Sequence, residues 1–188
     1  MRTFTEHTVD IADNGHVEHL TYRGLLSFQQ GEAIWGASVG FRAMQTAGLV
    51  LSRTRLWDRE FLSVMSAHPG PGVLGAIEYV THCASRNRFH LLAPTQSTGC
   101  HGNMEFRWWV SDSSQCVEIE LCHGFVPQQF FEFVDRVRSS KEKADDKSKL
   151  EELKQELTRK VLMGPLEEIF YSTDVLNPIP REANQCTN

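Results

Sequence analysis

The spacing of apolar residues predicts a series of helices along this chain. Apolar positions repeat every three or four residues in several segments, which is typical of helices with one buried face. A polar, mixed-charge stretch at 139–149 separates the fourth of these segments from the region before it. The predicted helices cover residues 25–52, 73–83, 126–137 and 150–162, and one further helical turn covers 166–170.

Strict alternation of apolar and polar residues predicts strands between the helices. The segments 104–110 and 116–122 flank a turn-like stretch at 111–114, so we expect them to form an antiparallel hairpin. Further strands are expected at 61–66 and 89–93, and residues 1–24 are expected to form a short strand and a helical approach. The prediction is an α+β fold, with helices packed on one face of an antiparallel sheet.

The polar stretch also divides the predicted domain organisation. Residues 1–138 are expected to form the α+β core domain, and 139–149 a polar linker. Residues 150–176 are expected to form C-terminal helices that pack on the core, followed by a tail at 177–188. A chain of 188 residues is long enough for one domain of ordinary size with a real core.

Composition narrows the class of protein. Hydrophobic residues make up 40% and charged residues 23%, as in ordinary globular proteins. The net charge of −5, with no stripe of Lys and Arg, argues against a nucleic-acid partner. No apolar run approaches a bilayer span and no signal peptide is evident, so a cytoplasmic protein without a membrane partner is expected. The five cysteines contain no Cys-x-x-Cys pair, so no zinc ribbon is predicted.

Small residues follow one stripe of the predicted first helix. Such a stripe lets another backbone approach closely. Gln30 and Glu32 precede it, at a point where a helix N-terminus offers free N–H groups. We therefore expect a binding site at the start of this helix. The stripe consists of Gly36, Gly40, Ala43 and Ala47.

This region resembles the formylmethanofuran dehydrogenase E-subunit-like family. The first helix of that family opens with His-Gly-His-x-Cys-Pro-Gly, followed by x-x-x-Gly-x-Arg. In this chain the two histidine positions hold Gln30 and Glu32, the cysteine position holds Ile34, and the proline position holds Trp35. The usual His and Cys ligands are therefore replaced. The matching positions are Gly31, Gly36, Gly40 and Arg42.

Two later elements extend the resemblance to about residues 20–176. Residues 74–83 are similar to a family helix of the form Val-Asp-Ala-Ile-Gln-x-x-Thr-Gly-Cys and keep its cysteine as Cys83. Residues 166–170 are similar to the short helix that closes the family domain. The resemblance implies a small α+β domain, often a homodimer, with a metal near the first helix. Its relatives accompany a molybdenum or tungsten enzyme of anaerobic one-carbon metabolism or have no assigned role.

The first functional hypothesis is therefore a metal- or metallocofactor-binding protein. A mixed set of nitrogen, oxygen and sulfur ligands suits zinc or iron better than calcium or magnesium. The candidate ligands are His68, Cys83, Glu32 and His123, with Gln30 and Trp109 as further cofactor-binding residues.

A second hypothesis needs no metal. Glu32 and His68 would form a proton-transfer pair in a small-molecule enzyme or binder. A third is a non-catalytic assembly partner that uses the small-residue stripe at an interface. Each candidate also has a purely structural interpretation: a loop histidine bonded to the backbone, a buried free thiol, a glutamate favoured by the helix dipole, and a histidine at the sheet rim. The dipeptide Cys-His occurs twice, at 100–101 and at 122–123, and His101 and His123 would lie close together if the ends of the hairpin strands pair.

Overall fold

The computed structural model describes residues 6–92, 104–139, 141 and 143–175. These residues form a two-stranded hairpin, a five-stranded sheet and a set of helices packed against it. In chain order the elements are β1 (Thr8–Asp13), β2 (His16–Thr21), α1 (Tyr22–Phe28), α2 (Ile34–Leu51), β3 (Ser63–Ser66), α3 (Pro71–Thr81), β4 (Phe89–Leu91), β5 (Arg107–Ser111), β6 (Cys116–Leu121), α4 (Gln128–Arg138), α5 (Asp146–Met163), α6 (Leu166–Ile169) and β7 (Phe170–Val175).

The larger sheet confirms the α+β class, but it is not the purely antiparallel sheet that was predicted. Its strand order is β4-β3-β5-β6-β7. The predicted hairpin is confirmed, because β5 and β6 pair antiparallel with Val110 opposite Val117. β3 and β4 pair in parallel, so the sheet is mixed rather than purely antiparallel. The chain returns through α3 between these two strands, which is the connection that a parallel pair requires.

One face of this sheet is buried and the other is partly exposed to solvent, as the alternation of apolar and polar residues predicts. Val64, Val110 and Val117 form one buried cross-strand row. Trp108 is fully buried, whereas its neighbour Trp109 lies on the opposite, half-exposed face. The helix α2 packs on the buried face, where it contacts β6 and β7. The prediction of helices on one face is therefore confirmed.

Three elements differ from the prediction. β1 and β2 form a hairpin where one strand and a helical approach were expected. The first predicted helix is two helices, α1 and α2, separated by a turn at 29–33. β7 was not predicted, because its residues lie at the sheet edge and four of its six side chains are exposed. A strand with so little burial leaves little periodic signal.

The C-terminal elements join the same core as the rest of the chain. α5 packs on α2 and α4, and it begins at Asp146, inside the stretch expected to be a linker. Among the described residues, one hydrophobic cluster extends from Val9 to Phe170. The predicted tail at 177–188 lies outside the described residues. Within the described ranges, no helix is both long enough and apolar enough to cross a membrane.

Candidate functional site

The site is built on the close contact between α2 and α3. A Cβ atom added at Gly36 would lie 3.1 Å from Gly72 Cα, and one added at Gly40 would lie 2.8 Å from Ala76 Cβ. A step of four residues along α2 therefore matches a step of four along α3, so the two helices run parallel. The predicted stripe of small residues is the surface that allows this approach. The N-terminal ends of both helices consequently lie side by side.

Neither of these helix ends is capped by a side chain. α2 begins after Ala33, and α3 begins after Gly70 with Pro71 in its first position. Neither helix has an acidic residue in its first turn. The first N–H groups of an α-helix find no acceptor within the helix itself. The two parallel dipoles thus present their positive ends together, without a counter-charge in either first turn.

The turn before α2 places these N–H groups. Gln30, Gly31 and Ala33 all have a positive φ, of 55°, 74° and 49° respectively. Three left-handed residues within four positions reverse the chain sharply between α1 and α2. A helix does begin directly after Gln30 and Glu32, as expected, and its cap residue Ala33 is a non-glycine residue in a strained region.

A cavity of about 780 Å³ opens in front of the two helix ends. This volume lies within the range of roughly 300–1,000 Å³ that is typical of small-molecule sites. α4 and α5 form the opposite wall, and the loop before α3 completes it. Its apolar lining includes Ile34, Trp35, Met104, Phe130, Val134, Val137, Leu150, Leu162 and Met163.

His68 is the buried polar side chain of the cavity lining. It is only 6% exposed, and its ring lies 4.6 Å from the ring of Phe106, measured between centroids. The backbone around it is fixed by Ser66, whose Oγ accepts from the His68 N–H at 3.1 Å and donates to the His68 carbonyl at 3.0 Å. The ring Nδ1 accepts a hydrogen bond from the Gly70 N–H at 3.0 Å. The neutral ring therefore carries its proton on Nε2, which has no hydrogen-bond partner among the described residues.

The surroundings of His68 keep it neutral. Burial lowers its pKa from the usual 6.5 to about 4, and the positive charge of Arg138 acts in the same direction. At neutral pH the imidazole is therefore an uncharged donor through Nε2 and a weak base.

Charged side chains of α4 and α5 also line the cavity. Arg138, Lys154 and Arg159 carry positive charges, and Glu151 carries one negative charge. Glu151 is neutralised by Lys154, because its Oε2 lies 3.3 Å from the Lys154 Nζ. Neither arginine forms an ion pair with a carboxylate in the described part of the chain. The lining is therefore net positive, in a protein whose overall charge is −5.

The structure does not bring the other predicted site residues to His68. Gln30 and Glu32 are exposed in the turn before α2, and neither lines the cavity. His123 is exposed beyond the end of β6, with Nε2 3.7 Å from Glu120 Oε1. Trp109 lies on the outer sheet face, where its Nε1 donates to Glu118 Oε2 at 3.0 Å.

Cys83 lies at the far end of α3 from His68. The helix has 11 residues, so its two ends are about 16 Å apart. The Cys83 thiol is fully buried and its Sγ lies 3.5 Å from the Leu62 carbonyl oxygen, to which it donates. Burial raises its pKa to about 11, which keeps it a thiol at neutral pH. Cys100 and His101 lie outside the described residues, and no group of three or more His, Cys, Asp or Glu side chains within the described ranges is arranged to hold a metal ion.

Sequence reasoning missed the wall formed by α4 and α5. Arg138 and Arg159 were part of segments interpreted as helices, with nothing to distinguish them from solvated surface charges. The one available signal was that α5 carries apolar residues such as Leu150 and Leu162 beside long cationic side chains. That pattern fits any amphipathic helix, and only packing on α2 turns it into a cavity wall.

Comparison with known proteins adds no relative: no family model matches this chain, and no curated protein matches it.

Proposed function

We propose that this protein binds a small, largely apolar molecule in the cavity beside His68. The observation that carries the proposal is the cavity itself, with apolar walls from three helices and one buried imidazole whose Nε2–H is free to donate. Pockets of this kind, mostly apolar with a few placed polar groups, are typical of ligand sites. Ile34 and Met163, which are 47% and 55% exposed, leave apolar surface at the cavity for a ligand to cover.

Binding is better supported than proton-transfer catalysis. A histidine with a pKa of about 4 is a poor general base at neutral pH. The proposed partner, Glu32, is exposed and does not line the cavity, so the Glu32/His68 pair has no geometric support. We therefore assign His68 the role of a hydrogen-bond donor that orients the ligand.

Fluorescence titration with phenylnaphthylamine, an uncharged apolar dye, tests the proposal. Its emission should rise on binding to the wild-type protein and saturate at one dye per chain. Val134→Trp fills the cavity from α4, where Val134 is buried, and should abolish this binding. Leu49→Trp, at a 65% exposed position of α2, is the matched control and should leave it unchanged. Equal dye binding by wild type and Val134→Trp, with both folded by circular dichroism, would refute the proposal.

The metal-binding hypothesis stays a prediction. Of its four candidate ligands only His68 lines the cavity, and a metal on Nε2 would require a proton on Nδ1, which now accepts from Gly70. The described residues therefore do not fit a zinc or iron site by themselves. Metal analysis of the purified protein, with His68→Ala as the comparison, tests the hypothesis. Stoichiometric zinc or iron that is lost in His68→Ala would revive it.

Membership of the formylmethanofuran dehydrogenase E-subunit-like family, a homodimer and a cytoplasmic location also stay proposals from the sequence. Light scattering of the purified protein tests the dimer directly.

A further inference from the structure

We propose that the ligand carries one anionic group, such as a carboxylate or sulfonate, at the end of its apolar body. We place this group between the N-terminal ends of α2 and α3, beside His68 and Arg138. The inference deepens the proposed binding function and rests on it.

The first argument is the parallel packing of the two helices. Their positive ends meet at the cavity because Gly36 and Gly72 allow the backbones to touch there. Parallel dipoles at this distance repel each other, and no acidic side chain in either first turn offsets them. An anion at this point would accept from the free N–H groups of both helices.

The second argument is the side chain of His68, which is independent of the helix ends. It is buried, lines the same cavity, and has Nε2–H as its remaining donor once Gly70 has taken Nδ1. Nε2 is not one of the fully buried atoms that lack a partner in the described residues, so it is accessible. Because His68 lines the cavity, Nε2–H is the donor that a ligand oxygen would meet there.

The third argument is the charge of the lining. Arg138 lies close enough to His68 for its charge to disfavour protonation of the ring. Neither Arg138 nor Arg159 forms an ion pair with a carboxylate within the described ranges, and the charged residues of the lining sum to a net positive charge. A cationic ligand would meet like charges and outward N–H groups, whereas an anion would meet donors. The one carboxylate of the described lining, Glu151, is paired with Lys154.

Three probes with the same ten-carbon chain separate this inference from the proposed function. Calorimetric titration would compare decanesulfonate, decanol and decyltrimethylammonium below their micelle concentrations. We expect decanesulfonate to bind about tenfold more tightly than decanol, and the cation more weakly than either. If none binds, the proposed function fails. If decanol binds as tightly as decanesulfonate, or the cation binds most tightly, the cavity stands and the anionic site is refuted.

A charge variant and its control test the placement. Arg138→Gln should weaken decanesulfonate binding about fivefold and leave decanol unchanged. Arg23→Gln removes an exposed arginine of α1 that does not line the cavity, and should change neither affinity. Equal weakening of decanesulfonate by both variants would overturn the placement beside Arg138.

Amide NMR on the wild-type protein locates the anionic group without any substitution. The N–H signals of Trp35, Gly36 and Gly72 should move downfield with decanesulfonate and not with decanol. Shifts confined to Lys154 and Arg159 would place the group on α5 instead of at the helix N-terminal ends and overturn the inference.

Discussion

The two ends of α3 are treated in opposite ways. At the C-terminal end, Arg59 is 1% exposed and donates to the carbonyl oxygens of Val80 at 2.8 Å and Tyr79 at 3.0 Å. Its Nη1 also donates to Glu18 Oε2 at 2.9 Å. At the N-terminal end, no side chain of the described residues accepts from the N–H groups of the first turn, and this end lines the cavity.

This contrast indicates that the C-terminal end of α3 contributes to stability and the N-terminal end to binding. Carbonyl groups that already accept a hydrogen bond need no further partner, whereas free N–H groups beside a cavity can donate to a ligand. It also explains why the expected His68/Cys83 pair does not meet. His68 lies beside the N-terminal end of α3, at Gly70 and Pro71, which we call the open end. Cys83 follows the C-terminal end, at Val80 and Thr81, which we call the closed end, and its thiol donates to a backbone carbonyl group.

The largest effect is expected at the closed end. Arg59→Met should lower the free energy of unfolding by about 4 kcal/mol, because it leaves buried carbonyl oxygens and a carboxylate without their donor. Urea titration measures this loss. Arg55→Met, at an exposed position close by in sequence, should change stability by less than about 0.5 kcal/mol. A similar small loss for Arg59→Met would show that the closed end is not held by its arginine.

The contact between the two helix ends gives the next largest effect. A Cβ at Gly72 would lie 2.7 Å from the Ala37 backbone nitrogen and even closer to the Ala33 carbonyl oxygen. Gly72→Ala should therefore cost about 3 kcal/mol, because backbone must move. In the matched Gly75→Ala the new Cβ meets only the flexible end of Gln29, so we expect a change below about 1 kcal/mol. Equal losses in denaturant titrations of the two variants would argue against the close approach of α2 and α3.

The open end should make stability depend on pH. The pKa of His68 is about 4 in the folded protein and about 6.5 when unfolded, so the unfolded chain binds more protons between these values. Stability from this residue is complete above about pH 6.5 and is lost as the pH falls towards 4. Between pH 7 and pH 4.5, wild type should lose about 2.5 kcal/mol more than His68→Phe in urea titrations. Parallel losses in the two proteins would mean that His68 titrates normally.

The smallest effect on the free energy of unfolding is expected for Arg138, at the open end. Arg138 is exposed and makes no ion pair in the described part of the chain, so Arg138→Gln should change the free energy of unfolding by less than about 0.5 kcal/mol. Thermal unfolding checks this. Together with the expected loss at Arg59, the result would assign one arginine to stability and the other to ligand binding. A marked destabilisation would mean that Arg138 serves the fold.

Much of the fold could be predicted because buried residues repeat along the chain with the period of the helix or strand that contains them. The alternation in β5 and β6 and the apolar spacing of α2 and α3 predicted these elements, with ends that shift by a few residues. β7 escaped because an edge strand with exposed side chains carries no comparable pattern. The parallel pairing of β3 with β4 also escaped, since alternation indicates a strand and not its neighbour.

Two features of the site could be predicted from the residues alone. The stripe of small residues predicted a close contact, and its position just after Gln30 and Glu32 predicted a helix N-terminus with free donors. Both depend on neighbouring residues, whose spacing sets which atoms face the same way.

The role of the contact between α2 and α3 follows from the way the helices pack in the folded protein. This packing joined the N-terminal ends of α2 and α3 and formed the opposite wall of the cavity from α4 and α5. It also placed His68 and Cys83 at opposite ends of α3, a helix about 16 Å long. These pairings bring together residues that lie far apart in the chain. Their geometry depends on how whole helices pack, which no local spacing encodes.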